Sequence, residues 1–364
     1  MNLSFFVSRT VTRYMARRFL MTSLAVLAAL VLILTTLDLL GESGDILAHP
    51  GNGNAELMRY AFLRVPQIIQ RFLPFAVLLG TLITLAGMNQ NSEIISMKAA
   101  GISAHQILAP LIAASLGISA GAFLFNERIV TRATATLDAW QAADYGPVAA
   151  DRGVSTNIWV RDGDDLIHAG TVTGRGAATR LADVTLYDRT GGILQAIVSG
   201  AQARPGPGGW QVPDARRFDV GRGVMATLPV FTFGAGISSD RFTLASVDAD
   251  SRAFPALRDD IAALSAAGRP TGALRAGLWH KISGALASAL MPLLAGVAAF
   301  GLARSGALFV RVVTGMGLGF AYFVADNFAL AMGNIGAYPP LLAAWAPFVL
   351  FLLIGEAVLI RTEE

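Results

Sequence analysis

Hydrophobic positions along this chain fall into long uninterrupted runs at both ends and into short alternating stretches in the middle. About 20 consecutive apolar residues are needed to cross a bilayer as a helix. The runs Phe19–Leu40, Ala61–Met88 and Ile107–Phe125 approach or exceed that length, as do Ile282–Leu302, Ala307–Met332 and Leu341–Ile360. Arg64, Pro66, Arg71 and Pro74 interrupt the second run. The middle begins with a polar, alanine-rich stretch, Thr131–Ala143, that reads as helical. Alternating segments follow at Asn157–Val160, Asp165–Ala169, Asp183–Tyr187, Ile193–Val198, Trp210–Val212 and Val230–Phe233. Turn signals separate them: Arg161-Asp162-Gly163, Thr190-Gly191-Gly192 and Pro205-Gly206-Pro207-Gly208-Gly209. Short, evenly spaced strands with such punctuation predict a sandwich or jellyroll. Pro255–Ala267 predicts a short amphipathic helix leading back to the next apolar run.

The pattern therefore predicts a membrane α-helical bundle of six transmembrane helices with an inserted β-jellyroll domain. Residues 1–130 form an N-terminal transmembrane block, 131–277 the β domain with flanking helices, and 278–364 a C-terminal transmembrane block. The N-terminus has the basic flank of a secretory signal in Arg13, Arg17 and Arg18, but the run behind it exceeds the roughly 7–15 residues of a signal core. It reads as a retained anchor helix.

Composition agrees with the pattern. Of 364 residues, 54% are hydrophobic and 15% charged, against about 25% charged in soluble domains. The absence of cysteine rules out disulfides and thiolate chemistry. A net charge of +3 without an arginine stripe argues against nucleic acid. The positive-inside rule orients the chain. Arg9, Arg13, Arg17 and Arg18 precede the first run, Lys98 follows the second, Arg304 and Arg311 flank the loop between the fourth and fifth, and Arg361 follows the sixth. These place one side in the cytoplasm and the β domain on the other. Arg59, Arg64 and Arg71 break the rule and need another reason.

Catalytic signatures are missing. Neither Lys98 nor Lys281 follows a glycine, so no phosphate-binding loop of the G-x-x-x-x-G-K type exists. His49, His105, His168 and His280 lack metal-ligand spacing, and a lone histidine is more often a surface or interface residue. Gly315-x-Gly317-x-Gly319 lies inside an apolar helix, which excludes a dinucleotide loop. Gly315 and Gly319, like Gly117 and Gly121, stand one helical turn apart and suit close helix approach in lipid. Packing within the chain is the favoured reading, and a sliding contact with a partner helix the other.

The segment Asn91–Gly101 combines candidate N-caps in Asn91 and Ser92, Glu93 at the positive helix end, and Gly101 as a left-handed terminator. Ile94, Ile95, Met97 and Lys98 would project from it. An ordinary loop would not combine these features, so a docking helix is favoured. Arg64, Arg71, Arg128 and Arg132 lie near the outer membrane edge. They serve either as snorkelling side chains or as a ring for the phosphates of an anionic amphiphile. Asp326 and Asn327 in the fifth run, and Glu356 in the sixth, are intramembrane polar residues and hence functional candidates; Glu356 lies close to a membrane face.

These residues resemble the LptF/LptG permeases of the lipopolysaccharide-export ABC transporter, the LptG branch in particular. The likeness rests on Ser92-Glu93-Ile94-x-x-Met97-Lys98-Ala99-Ala100-Gly101, on Arg311-Val312-Val313-Thr314-Gly315 with Gly319-Phe320 and Asp326, and on Val247-Asp248-Ala249-Asp250 with Leu278-Trp279-His280-Lys281-Ile282. It runs over nearly the whole length. It implies a non-catalytic subunit of the inner membrane with a periplasmic jellyroll. An LptF-like permease, an LptB-like ATPase dimer, an LptC-like single-span protein and an LptA-like bridge are the implied partners. The chain itself would hold no cofactor, since ATP and magnesium would bind the ATPase. Glu93 and its helix would couple to that ATPase, and Phe320 and Phe323 would touch acyl chains of lipopolysaccharide. The family resemblance also implies lysines just after the first run, where this chain has Asp38-Leu39-Leu40-Gly41-Glu42-Ser43-Gly44-Asp45. Arg64, Arg71, Arg128 and Arg132 would then hold phosphates instead; a less phosphorylated substrate or a bridging divalent cation is the alternative. A membrane-anchored scaffold or sensor is the competing class, and the lack of a long cytoplasmic stretch counts against it.

Overall fold

The computed structural model describes residues 8–147, 155–174, 178–237, 239, 242, 248–266, 269–301 and 308–363. Arg304 and Val247 lie outside the described residues.

Two compact units emerge. The first comprises Met1–Gly146, Ala249–Leu257 and Gly272–Glu364. Its helices are α1 (Arg9–Ala48), α2 (Asn54–Gln90), the short α3 (Glu93–Ala99) and α4 (Ala104–Phe125). A π-helical turn, Asn126–Val130, continues α4 into α5 (Thr131–Gln141). A helix α6 (Phe254–Ala266) precedes α7 (Gly272–Gly296), which runs into a second π-helical turn, Val297–Gly301. The chain closes with α8 (Leu308–Asn334) and α9 (Pro340–Glu363). Among the described residues, six helical segments are long and apolar enough to cross a membrane.

Inside a bilayer every backbone amide must be satisfied within the segment, which leaves the helix as the available form for such runs. Pro66 and Pro74 in α2, Pro110 in α4, Pro292 in α7 and Pro347 in α9 are carried inside helices, as membrane-spanning helices tolerate. The second run, interrupted in sequence, is thus one continuous helix. Helices also extend past the apolar runs. At 1.5 Å per residue, the 40 residues of α1 reach about 60 Å, twice the hydrocarbon thickness.

The helical core is assembled from Met15 and Phe19 of α1, Leu78, Leu82 and Leu85 of α2, Leu108 and Leu111 of α4, and Leu290 to Leu294 of α7. Glycines of α8 set its approach to α2. A Cβ on Gly319 would lie 2.2 Å from Leu78 Cδ2, and one on Gly315 2.7 Å from Leu82 Cδ2. This is packing within the chain. Gly117 and Gly121 of α4 face open space instead.

The second unit, Pro147–Asp248 and Arg258–Thr271, holds a six-stranded antiparallel sheet. Its strands are β1 (Ser155–Asp162), β2 (Asp165–Thr173), β3 (Arg180–Thr190), β4 (Ile193–Gly206), β5 (Gly209–Asp219) and β6 (Val224–Phe233). Each pairs with the next in sequence, so the jellyroll-like domain is one continuous meander rather than two separate sheets. Gly191 and Gly192, both at positive φ, make the two-residue turn between β3 and β4, which the right-handed strand twist favours. One face buries Ile167, Ala169, Leu181, Leu186, Val198 and Trp210, and the Trp210 indole N–H donates to the Ile237 carbonyl at 3.1 Å.

Candidate functional site: a polar-walled cavity and a pinned short helix

The helical unit holds a partly open cavity of about 800 Å³. Its apolar wall is built by Leu34 and Leu37 of α1, Phe72 and Phe75 of α2, Met291 of α7 and Phe323 of α8. Phe75 and Phe323 meet edge to face at 5.2 Å, a favoured geometry for aromatic pairs. Along α8 the lining residues are Gly319, Tyr322, Phe323, Asp326, Asn327 and Leu330. That is a single stripe at helical spacing. Phe320 falls about 90° from the centre of this stripe at 100° per residue; it stands 60% exposed and does not line the cavity. Of the two phenylalanines expected to touch acyl chains, the cavity is therefore lined by Phe323 and not by Phe320.

The four arginines part company. Arg64 lines the cavity but is taken up by Asp38: its Nε donates to Asp38 Oδ2 at 2.9 Å and its Nη2 to Asp38 Oδ1 at 3.0 Å. Tyr60 donates to the same carboxylate at 2.7 Å, and Arg64 Nη1 donates to Gln67 at 2.7 Å. Arg71, two turns further along α2, lines the cavity without an ion-pair partner among the described residues. Arg128 and Arg132 are exposed and are not part of the lining. The four do not form one ring. The acidic stretch after the first run also finds its purpose here, because Asp38 neutralises Arg64 and Glu42 accepts from Tyr145 at 2.7 Å.

Asp326, a candidate by sequence, sits on a second polar wall whose pairings the sequence did not show. Lys281 of α7 is 4% exposed at its side chain and lies 3.6 Å from Glu127 of the π-helical turn. The backbone N–H of Phe254 donates to the other Glu127 oxygen. The adjacent His280 lies 3.7 Å from Asp326 of α8. Buried polar atoms normally make hydrogen bonds, yet Gln70 Oε1, Glu127 Oε1, His280 Nδ1, Lys281 Nζ, Tyr322 Oη and Asp326 Oδ1 make none among the described residues, the Lys281–Glu127 ion pair being too long for one. All of these residues except Glu127 line the cavity. Charges in a membrane-spanning segment face an interior or a wet cavity, the rule that marked Asp326 as a candidate in the sequence and that applies equally to Lys281.

At one end of the bundle lies α3. Gly101, at φ +81°, ends it in a Schellman closure, with Gly101 N–H donating to Lys98 and Ile102 N–H to Met97. The expected side-chain cap is not made: Ser92 sits at φ 58° with no capping bond, and Asn91 donates to Glu93 instead. Nor do all four expected residues project. Ile94 is 5% exposed and belongs to the helical core, with Met97 packed against it. Ile95 is 59% exposed, and Lys98 Nζ sits 4.8 Å above the Phe300 ring. A seven-residue helix lying on a bundle must turn one face inward, and successive isoleucines point 100° apart. Glu93 is held within the chain, accepting from Arg18 Nη1 at 2.9 Å and from Tyr14 Oη at 3.2 Å. Partial burial raises its pKa, but the hydrogen bonds from Asn91, Arg18 and Tyr14 outweigh that and hold the carboxyl below its ordinary range.

Comparison with known proteins places the sequence in a family. The sequence profile described as "Lipopolysaccharide export system permease LptF/LptG" matches residues 13–361. The lipopolysaccharide export system permease protein LptG of Escherichia coli is 25% identical over 327 residues, covering 87% of this chain and 89% of that protein. LptG of Haemophilus influenzae is 23% identical over 370 residues, covering 98% and 99%. With a profile match across nearly its full length, six apolar helices and a β-sheet inserted between them, this multi-pass membrane protein belongs to the LptF/LptG permease family.

Proposed function

We propose that this chain is a permease subunit, of the LptG kind, in an ABC transporter that extracts lipopolysaccharide from the inner membrane and passes it to the β-jellyroll. The observation that carries the reading is the cavity: an apolar, aromatic wall for acyl chains beside an unpaired guanidinium, Arg71, for phosphate. Guanidinium matches phosphate oxygens in a bidentate fork, and apolar burial supplies the non-directional part of the affinity for acyl chains. Arg64 is a reserve cation, because a phosphate would have to displace Asp38 to reach it.

The chain supplies no fuel in this reading. An LptB-like ATPase dimer binds ATP and magnesium and grips the exposed face of α3 around Ile95. An LptF-like permease completes the cavity, an LptC-like helix packs beside the bundle, and an LptA-like bridge receives the lipid from the periplasmic sheet. Lys98 and Arg361 then face the cytoplasm, in keeping with the positive-inside rule.

The test is reconstitution. Proteoliposomes holding this chain with its partner permease and ATPase should release lipopolysaccharide to a soluble β-jellyroll acceptor only with ATP. Release that continues without this chain would overturn the proposal.

A further inference from the structure

Helix α1 is fully buried only near its two ends, with a half-buried stripe (Val26, Leu27, Leu30, Val31, Leu34 and Thr35) between them. Its buried residues are Met15, Phe19 and Ser23 toward one end and Ile46 at the other. Polar contacts follow the same division. Toward the far end Asp38 meets Tyr60 and Arg64 on the cavity wall. At the near end Tyr14 and Arg18, one turn apart on one face, both reach Glu93 of α3. Arg18 Nη1 also donates to the Tyr14 hydroxyl at 2.8 Å, which joins the three groups into one cluster.

This cluster is built into the packing of α1 on α2. A Cβ on Gly87 of α2 would lie 2.9 Å from Arg18 Nη2, and one on Gly80 would lie 2.2 Å from Ser23 Oγ. The absence of a side chain at Gly87 is what lets the guanidinium cross α2 and arrive at α3. The chain joins α3 covalently to α2 and α4 alone. Without the cluster, α1 would meet α3 only through apolar contact, which has no preferred direction. Charge-assisted hydrogen bonds to a carboxylate fix direction as well as distance.

We propose that Arg18 and Tyr14 are positioning residues that fasten α3 to α1, so that any displacement of α3 is carried along α1 to the cavity wall. Arg18 and Asp38 are 20 residues apart on one continuous helix, about 30 Å at 1.5 Å per residue. A rigid element of that kind transmits displacement between distant sites. Movement of α1 against α2 then acts on the Asp38–Arg64 pair and frees the Arg64 guanidinium toward the cavity. The inference rests on the reading of α3 as the segment that the ATPase grips.

The test uses the assembled complex in lipid nanodiscs. Because the chain has no cysteine, a spin-label pair can be placed cleanly at Leu32→Cys on α1 and Leu353→Cys on α9, both exposed. A second pair joins Ile83→Cys on α2 to the same α9 position. In the otherwise unaltered chain both distances should change between the nucleotide-free and ATP-trapped states. With Arg18→Gln and Tyr14→Phe combined, the α1 distance should stop responding while the α2 distance still does. Lipid released per ATP should fall about tenfold or more, since the double variant loses two hydrogen bonds to the Glu93 carboxylate. Arg18→Lys should recover part of the response, and the exchange Arg18→Glu with Glu93→Arg should recover more than either single change. An α1 distance that still responds in the double variant, or an exchange that folds and recovers nothing, would overturn the inference. Ile95→Asp separates the two layers: it should release the ATPase. Retention of the ATPase by Ile95→Asp defeats the docking reading itself, whereas its release together with a normal α1 response in the Arg18 variant defeats only the fastening.

Discussion

Removal of Asp38 should destabilise the helical unit and at the same time strengthen its hold on anions. The carboxylate accepts three hydrogen bonds, two from the Arg64 guanidinium and one from Tyr60. Hydrogen bonds to charged groups contribute about 1.5–3 kcal/mol each when sheltered. Here the Arg64 and Asp38 side chains are 34% and 25% exposed, so solvent screening takes a large share. We expect Asp38→Ala to cost about 2–4 kcal/mol, Arg64→Met about 1–2 kcal/mol, and the pair to show a coupling energy of about 1–2 kcal/mol. The assay is a double-mutant cycle by SDS-induced unfolding in mixed micelles. Additivity within about 0.5 kcal/mol would refute the claim that this pair ties α1 to α2. The functional half of the prediction has the opposite sign: with Asp38 gone, Arg64 is free, and lipopolysaccharide capture should rise.

Arg71→Gln should lower lipopolysaccharide capture about tenfold or more, the loss of one charge-assisted contact, with little change in thermal stability; an equal loss with neutral lipids would refute a phosphate role. Gly319→Val should destabilise by about 1–3 kcal/mol through overpacking against Leu78, as read by a fall in Tm, whereas Gly117→Val meets open space and should leave Tm nearly unchanged. Glu93 contributes stability above its unfolded pKa of about 4.3. Because its folded pKa is lowered, that contribution is lost only as pH falls through the lower folded value. Wild type should therefore lose stability relative to Glu93→Gln on acidification below about pH 4.3, and identical pH profiles would contradict this. Lys281→Met should leave Glu127 as an uncompensated buried charge and cost about 3–5 kcal/mol, while Lys281→Met with Glu127→Gln should recover most of it; both are read by SDS unfolding.

The architecture was legible because lipid imposes a length. An apolar run of sufficient extent has few structural options, and each predicted span lies on helical structure over its described residues. The segment boundaries were harder to read. Hydropathy marks what sits in hydrocarbon, whereas α1 continues as helix through polar residues on both flanks. The strands followed from alternation and turn residues, but β4 extends past its predicted core through Pro205 to Gly206, and β5 on to Asp219. The site was far less legible. Arg64, Arg71, Arg128 and Arg132 look alike in a string of letters, and only the fold pairs one with Asp38, points another into the cavity and leaves two outside. Contacts such as Arg18 with Glu93, or Lys281 with Glu127, join residues 75 and more positions apart. No local pattern encodes them. Ile94 and Ile95 show the same limit at short range: a docking helix was inferable, but which isoleucine faced inward depended on how α3 lies on the core.

The central claim is that lipopolysaccharide occupies the cavity beside Phe323, and photocrosslinking there tests it most directly. A benzophenone amino acid at Phe323 in the assembled complex, compared with one at the exposed Leu353 of α9, should give a lipopolysaccharide adduct at Phe323 that declines when ATP and the acceptor are added. Adducts at Phe323 containing only phospholipid, indistinguishable from those at Leu353, would contradict the account.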